Sequence, residues 1–107
     1  MVIHKKSAAH EKKIVGKAEI EFRVIARRNR LLGDWAAEQL GFDGDAAGAY
    51  AKEVIAGGLE RGGDEAVANK ILTDFSEGSV AVTDAQLRAK ITEFLEIARE
   101  EVESRPS

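Results

Sequence analysis

The chain of 107 residues contains no cysteine, which rules out disulfides, thiolate metal sites and a cysteine nucleophile. Its single proline is Pro106, so nothing before that position forbids a helix. Aromatic residues make up only 6% of the chain, and the expected core is therefore one of Ala, Leu, Ile and Val. No apolar run approaches the roughly 20 residues that cross a bilayer. The basic start lacks the apolar stretch of a secretory signal after Lys5 and Lys6, so a cytoplasmic protein is expected. Histidine is limited to His4 and His10, six positions apart, whereas a metal pair on one helix face needs a spacing of three or four. No metal site is expected. There is no P-loop and no G-x-G-x-x-G, and the glycines at 57, 58, 62 and 63 read as a turn between helices. With no cysteine, no convergent histidine and carboxylates spread along the chain, no catalytic apparatus is legible and an enzyme is not expected.

What is present is 44% hydrophobic residues, enough for one domain with one core. The net charge of −3 hides a division. Residues 1–30 hold nine Lys/Arg against three Glu, a net of +6, and residues 31–107 hold seven against sixteen Asp/Glu, a net of −9. A basic arm on an acidic body either meets an acidic partner or lies against its own body.

Apolar residues from Ile14 recur at helical spacing through Ala18, Phe22, Ile25, Leu32, Ala36 and Leu40. Gly41 ends that helix, and Gly33 inside it leaves room for a second helix to approach. Residues 1–10 show no sustained period and are expected to be disordered. Asp43 predicts the cap of a second helix over about 44–60. Asp64 predicts the cap of a third, carrying Val67, Ile71, Leu72 and Phe75. The link SVAV at 79–82 is not read as a strand. Thr83 and Gln86 form a capping box that opens a fourth helix with Leu87, Ile91, Phe94, Leu95, Ala98 and Val102 on one stripe, stopped by Pro106. The fold class is therefore all-α, a four-helix bundle-like domain with a flexible basic N-terminal arm. The expected division is arm 1–21 and helical domain 22–107.

The stretch ARRNRLLGDWAAEQLG at 26–41 places Arg27, Arg28 and Arg30 just before Leu31, Leu32 and Trp35. The leucines and the tryptophan are expected in the core. The three arginines cannot share one helix face, so at least one should pair with a carboxylate of the body. Tyr50 is expected to pack. Phosphate contacts by Lys12, Lys13, Lys17 and these arginines are conceivable. Against them stand an acidic isoelectric point near 5.4 and the absence of a nucleic-acid-binding motif. Glu11, Glu19 and Glu21 interrupt the basic face that a membrane surface would require.

That same stretch, with AYAKEVI at 49–55, GDE at 63–65 and QLRAKITEFLEIARE at 86–100, resembles the ATPase inhibitor subunit zeta family of alphaproteobacteria. The matching motif residues are Arg27, Arg28, Asn29, Arg30, Leu31, Leu32, Gly33, Trp35 and Tyr50, among others. The resemblance implies a small four-helix regulatory protein, monomeric when free. It would bind the catalytic sector of the F-type ATP synthase and block ATP hydrolysis. It implies an N-terminal inhibitory segment that becomes helical between alpha and beta subunits near gamma; here Lys12, Lys13, Ile14, Lys17, Ile20, Phe22 and Arg23 would make those contacts. Peripheral association with membrane-bound ATP synthase, no cofactor and weak adenine-nucleotide binding also follow from the resemblance. The arm departs from the family pattern: His10 and Ile14 stand where phenylalanines are expected, Gly16 where a histidine is, and the charge is reversed. A divergent adaptor of the same fold, with weak or lost inhibition, is therefore the alternative expectation.

Overall fold

The computed structural model describes the backbone of residues 2–59 and 62–104 and the side chains of 16–59 and 62–104. Four helices follow one another: α1 (Val2–Gln39), α2 (Gly44–Gly58), α3 (Gly63–Glu77) and α4 (Asp84–Glu103). Among the described residues there is no strand, SVAV included. α1 packs on α2 and α4, α2 on α3, and α3 on α4, which closes a four-helix bundle around the C-terminal half of α1.

α1 begins about a dozen residues before the apolar period becomes readable, because Ala, Lys and Glu carry helix propensity without any apolar pattern. The expectations for the side chains of residues 1–15 lie outside the described residues, as does Pro106. α4 ends at Glu103, before that proline, with Ser104 as its C-cap. α2 stops at Gly58, two residues short of the expected end.

The helix ends follow local chemistry. At the end of α1 the Phe42 N–H donates to the Ala37 carbonyl (2.9 Å) and Gly41 N–H to that of Glu38 (3.0 Å). This Schellman arrangement needs a left-handed residue, and Gly41 supplies it at φ 82°. The end of α3 repeats it with Ser79 at φ 58°, Val80 N–H donating to Phe75 O at 2.8 Å. The capping box of α4 is present as read: Thr83 Oγ1 accepts from Gln86 N–H (3.1 Å) and Thr83 N–H donates to Gln86 Oε1 (3.0 Å). Asp43 occupies the cap position of α2, although its side chain bonds no backbone N–H there. The cap of α3 is Gly62, at φ 107°, and not Asp64. Asp64 lies in the first turn instead, where its carboxylate is drawn to an arginine of α1.

The core is formed by Leu32, Ala36 and Ala37 of α1, Tyr50 and Val54 of α2, Val67, Ala68, Ile71 and Phe75 of α3, and Leu87 and Ile91 of α4. Leu32, Ile71, Phe75 and Leu87 are fully buried, each stabilising the fold by about 2 kcal/mol. The aromatics contribute more than their number suggests. Trp35 meets Phe75 edge-on at 5.7 Å and Phe94 at 6.4 Å, joining α1, α3 and α4. Gly33 performs the role read for it: a Cβ there would lie 2.8 Å from Ala51 Cα, so the backbones of α1 and α2 approach closely there.

Candidate partner-binding site

The arginine-rich stretch of α1 is built into the bundle. Arg28 is 1% exposed, and its guanidinium reaches across to α3, where Nη2 donates to Asp64 Oδ1 at 2.6 Å and Nη1 to Oδ2 at 3.4 Å. Its Nε donates to Asn29 Oδ1 at 2.7 Å. A desolvated guanidinium is tolerable only with such a set of acceptors. Asn29 is fully buried, and its Nδ2 finds no acceptor among the described residues. That amide lies so close to Gly58 that any Cβ there would overlap it. The end of α2, the start of α3 and the middle of α1 thus meet at one node.

A second set of pairs ties α1 to the C-terminal half of α4. Arg27 Nε donates to Glu101 Oε1 at 2.7 Å. Arg99 grips Glu21 with both terminal nitrogens, at 2.6 and 3.1 Å. The hydrogen bond from Arg99 and its charge hold the Glu21 carboxyl below its ordinary value, while Glu21 raises the pKa of Arg99. Arg30 pairs with Asp34 on the outer face of α1. All three arginines of the motif therefore meet carboxylates, and Arg28 is the only one that is buried.

The sequence-predicted partner contacts fall elsewhere. Lys12, Lys13 and Ile14 lie outside the described side chains. Lys17 is exposed, Ile20 is 37% exposed and Phe22 is 56% exposed. Arg23 is exposed and, among the described residues, pairs only with Glu19 of its own helix, at 3.3 Å. Residues 17–23 are all exposed, and Val24 is the first buried residue among the described side chains of α1. The apolar stripe read from the sequence is thus split: Leu32 and Ala36 enter the core, whereas Phe22 faces solvent. Leu31 and Trp35 are half-buried.

Tyr50 packs as expected and also anchors a polar cluster. Its hydroxyl donates to Asp74 Oδ2 at 2.8 Å, and Lys70 donates to the same oxygen at 3.1 Å and to Glu53 at 3.0 Å. Burial and the Asp74 carboxylate push the Tyr50 phenol well above its usual range. Burial alone would lower the Lys70 pKa, but Glu53 and Asp74 outweigh it and raise it.

Asp64, Glu101, Arg99 and Gly58 were not singled out as site residues by the sequence. Their partners lie far away in the chain, so no local spacing announces them. The model of the ATPase inhibitor subunit zeta family matches residues 1–101, nearly the whole chain and the arm included. This protein belongs to the ATPase inhibitor subunit zeta family. Comparison with curated proteins and with solved structures finds no match for it. Within the zeta family assignment, the ARRNR motif has a structural task in this chain. It locks the rod of α1 to α3 through Arg28 and to α4 through Arg27. No described helix is long and apolar enough to cross a membrane.

Proposed function

We propose that this chain docks on the catalytic sector of the F-type ATP synthase, against alpha, beta and gamma subunits, and blocks ATP hydrolysis with the N-terminal part of α1. The working division is an inhibitory arm at 1–21 and an anchoring helical body at 22–107. The observation that carries the reading is the exposed run 17–23, where Ile20 and Phe22 leave apolar surface on a helix with nothing described packed over it. A family match that starts at residue 1 supports it. A helix without tertiary support is marginal in water and gains its order on binding. Lys12, Lys13, Ile14, Lys17, Ile20, Phe22 and Arg23 would supply the contacts. The action is obstruction: a wedge that keeps a catalytic site from changing shape needs no chemistry of its own, so the protein acts as a non-enzymic regulator.

The test is ATP hydrolysis by the cognate catalytic sector, freed of its own inhibitor and titrated with the full chain, a form lacking residues 1–21, and Phe22→Ser. Inhibition by the full chain, absent in the truncation and weakened in F22S, is the expected result. Gly16 favours a second reading, because it costs the arm about 1 kcal/mol of helix stability relative to alanine. In that reading the body binds the enzyme without stopping it, and the full chain co-sediments with the catalytic sector while hydrolysis continues.

A further inference from the structure

Two helix ends run past the core together. In α1 no residue from Lys17 to Arg23 is buried, and in α4 none of the described residues after Ala98 is. Neither end is well held by its own helix. The run 17–23 lacks the buried apolar face from which most helices take their stability. The last turn of α4 carries Glu100, Glu101 and Glu103 and no basic residue, so three carboxylates sit at the negative end of the helix dipole.

Charge joins the two ends. Arg99 holds Glu21 in a fork, at 2.6 and 3.1 Å, a geometry that fixes direction as well as charge. Arg27 Nε reaches Glu101 Oε1 at 2.7 Å. By the helical period, Glu21 and Arg27 lie on opposite sides of the Val24 face of α1, and Arg99 and Glu101 on opposite sides of the Ala98 face of α4. The two pairs therefore clasp the helices from both flanks. They also relieve the acidic end of α4: Arg27 offsets Glu101, and Arg99 is shared between Glu21 and Glu103. The four side chains of these pairs are 38–54% exposed, so each pair is weak and screened by salt. A weak clasp between two ends that are weak alone makes each depend on the other.

We propose that the Glu21–Arg99 and Arg27–Glu101 pairs form a latch, through which the exposed run 17–23 of α1 and the last turn of α4 order and fray as one unit. Opening the latch leaves the bundle closed, because the buried side chains of α1 begin at Val24 and those of α4 end at Ala98. The latch is a property of the free chain. Its regulatory consequence rests on the function proposed above: a partner that takes hold of 17–23 competes for Glu21, and so releases the end of α4. By reciprocity, whatever steadies the end of α4 holds 17–23 on the body and opposes that capture.

Amide hydrogen exchange of the full chain, followed by NMR at neutral pH and low salt, reads both ends residue by residue. In the parent, the amides of 18–23 and 101–104 should share a protection well below that of the buried Leu32 and Ile71. Each single variant is then read on the helix it does not alter. Glu21→Gln should speed exchange at 101–104, and Arg99→Gln at 18–23, each by about two- to fivefold, as the loss of a weak exposed pair allows. The two substitutions combined should be no faster at either end than the faster single variant, since the same contact is lost only once. Unchanged exchange in α4 with Glu21→Gln, or in α1 with Arg99→Gln, would overturn the proposal, because the ends would then fray independently. So would a parent whose residues 18–23 exchange as fast as an unfolded chain, or one whose two ends exchange as slowly as the core. The enzyme takes no part in this experiment, so its failure and a failure of the inhibition assay are separate results.

Discussion

Gly33 and Gly48 allow the close contact of α1 and α2 to be tested by one substitution made twice. Both lie inside helices, so alanine gains each helix about 1 kcal/mol of intrinsic propensity. The surroundings differ. A Cβ at Gly48 meets nothing within 4 Å. A Cβ at Gly33 meets Ala51 Cα at 2.8 Å and the Cβ atoms of Ala51 and Val54 at 3.3 Å. Carbon atoms prefer about 3.5–4.0 Å, so the helices must separate by the better part of an ångström over a fully packed contact. Overpacking of this kind costs about 1–3 kcal/mol, and here the obstacle is backbone, which cannot rotate away. Gly33→Ala should therefore lose up to about 2 kcal/mol net, while Gly48→Ala should gain about 0.5–1 kcal/mol. Urea unfolding followed by helical circular dichroism reads both, with the slope checked for constancy. If Gly33→Ala proved as stable as Gly48→Ala at equal slope, the tight crossing of α1 and α2 would be refuted.

Three further outcomes follow from the ion pairs. Asp64→Asn removes the charge opposite a guanidinium that is 1% exposed, and should cost about 2 kcal/mol, moderated because the Asp64 side chain is itself 61% exposed. Arg28→Lys should not be benign, since an ammonium can make neither the forked contact to Asp64 nor the Nε bond to Asn29; the melting temperature of each variant checks this. Glu21 has its folded-state pKa lowered from the usual 4.5, so its contribution is present above that value and lost as pH falls through the lower folded value. The stability difference between the parent and Glu21→Gln should therefore be constant at neutral pH and shrink only in acid. A difference that widened on acidification would contradict the pairing with Arg99.

The class of the fold was legible because its signals are local. The period of Leu87, Ile91 and Ala98 marks α4, Thr83 and Gln86 mark its start, and Gly41 marks the end of α1. The start of α1 was not legible, since a run of Lys, Ala and Glu favours helix without any pattern to show it. The arm's surface was legible in part: Ile20 and Phe22 are apolar in sequence, but their exposure depends on where α2 and α4 end against α1.

By itself the sequence determined four helices, the capping box of α4 and the glycine end of α1, the separation of basic arm from acidic body, and the motif that carries the family resemblance. These rest on period, composition and turn chemistry within a few residues. Tertiary structure alone decided that Arg28 is buried and meets Asp64 across 36 positions, and that Arg99 holds Glu21 across 78. It also decided that Asn29 leaves Gly58 no room for a side chain and that Phe42 opens onto a groove ringed by carboxylates. The physical reason is the same in each case. A charge or a glycine acquires its role from whatever the packing of distant helices brings beside it, and spacing along the chain does not encode that neighbour.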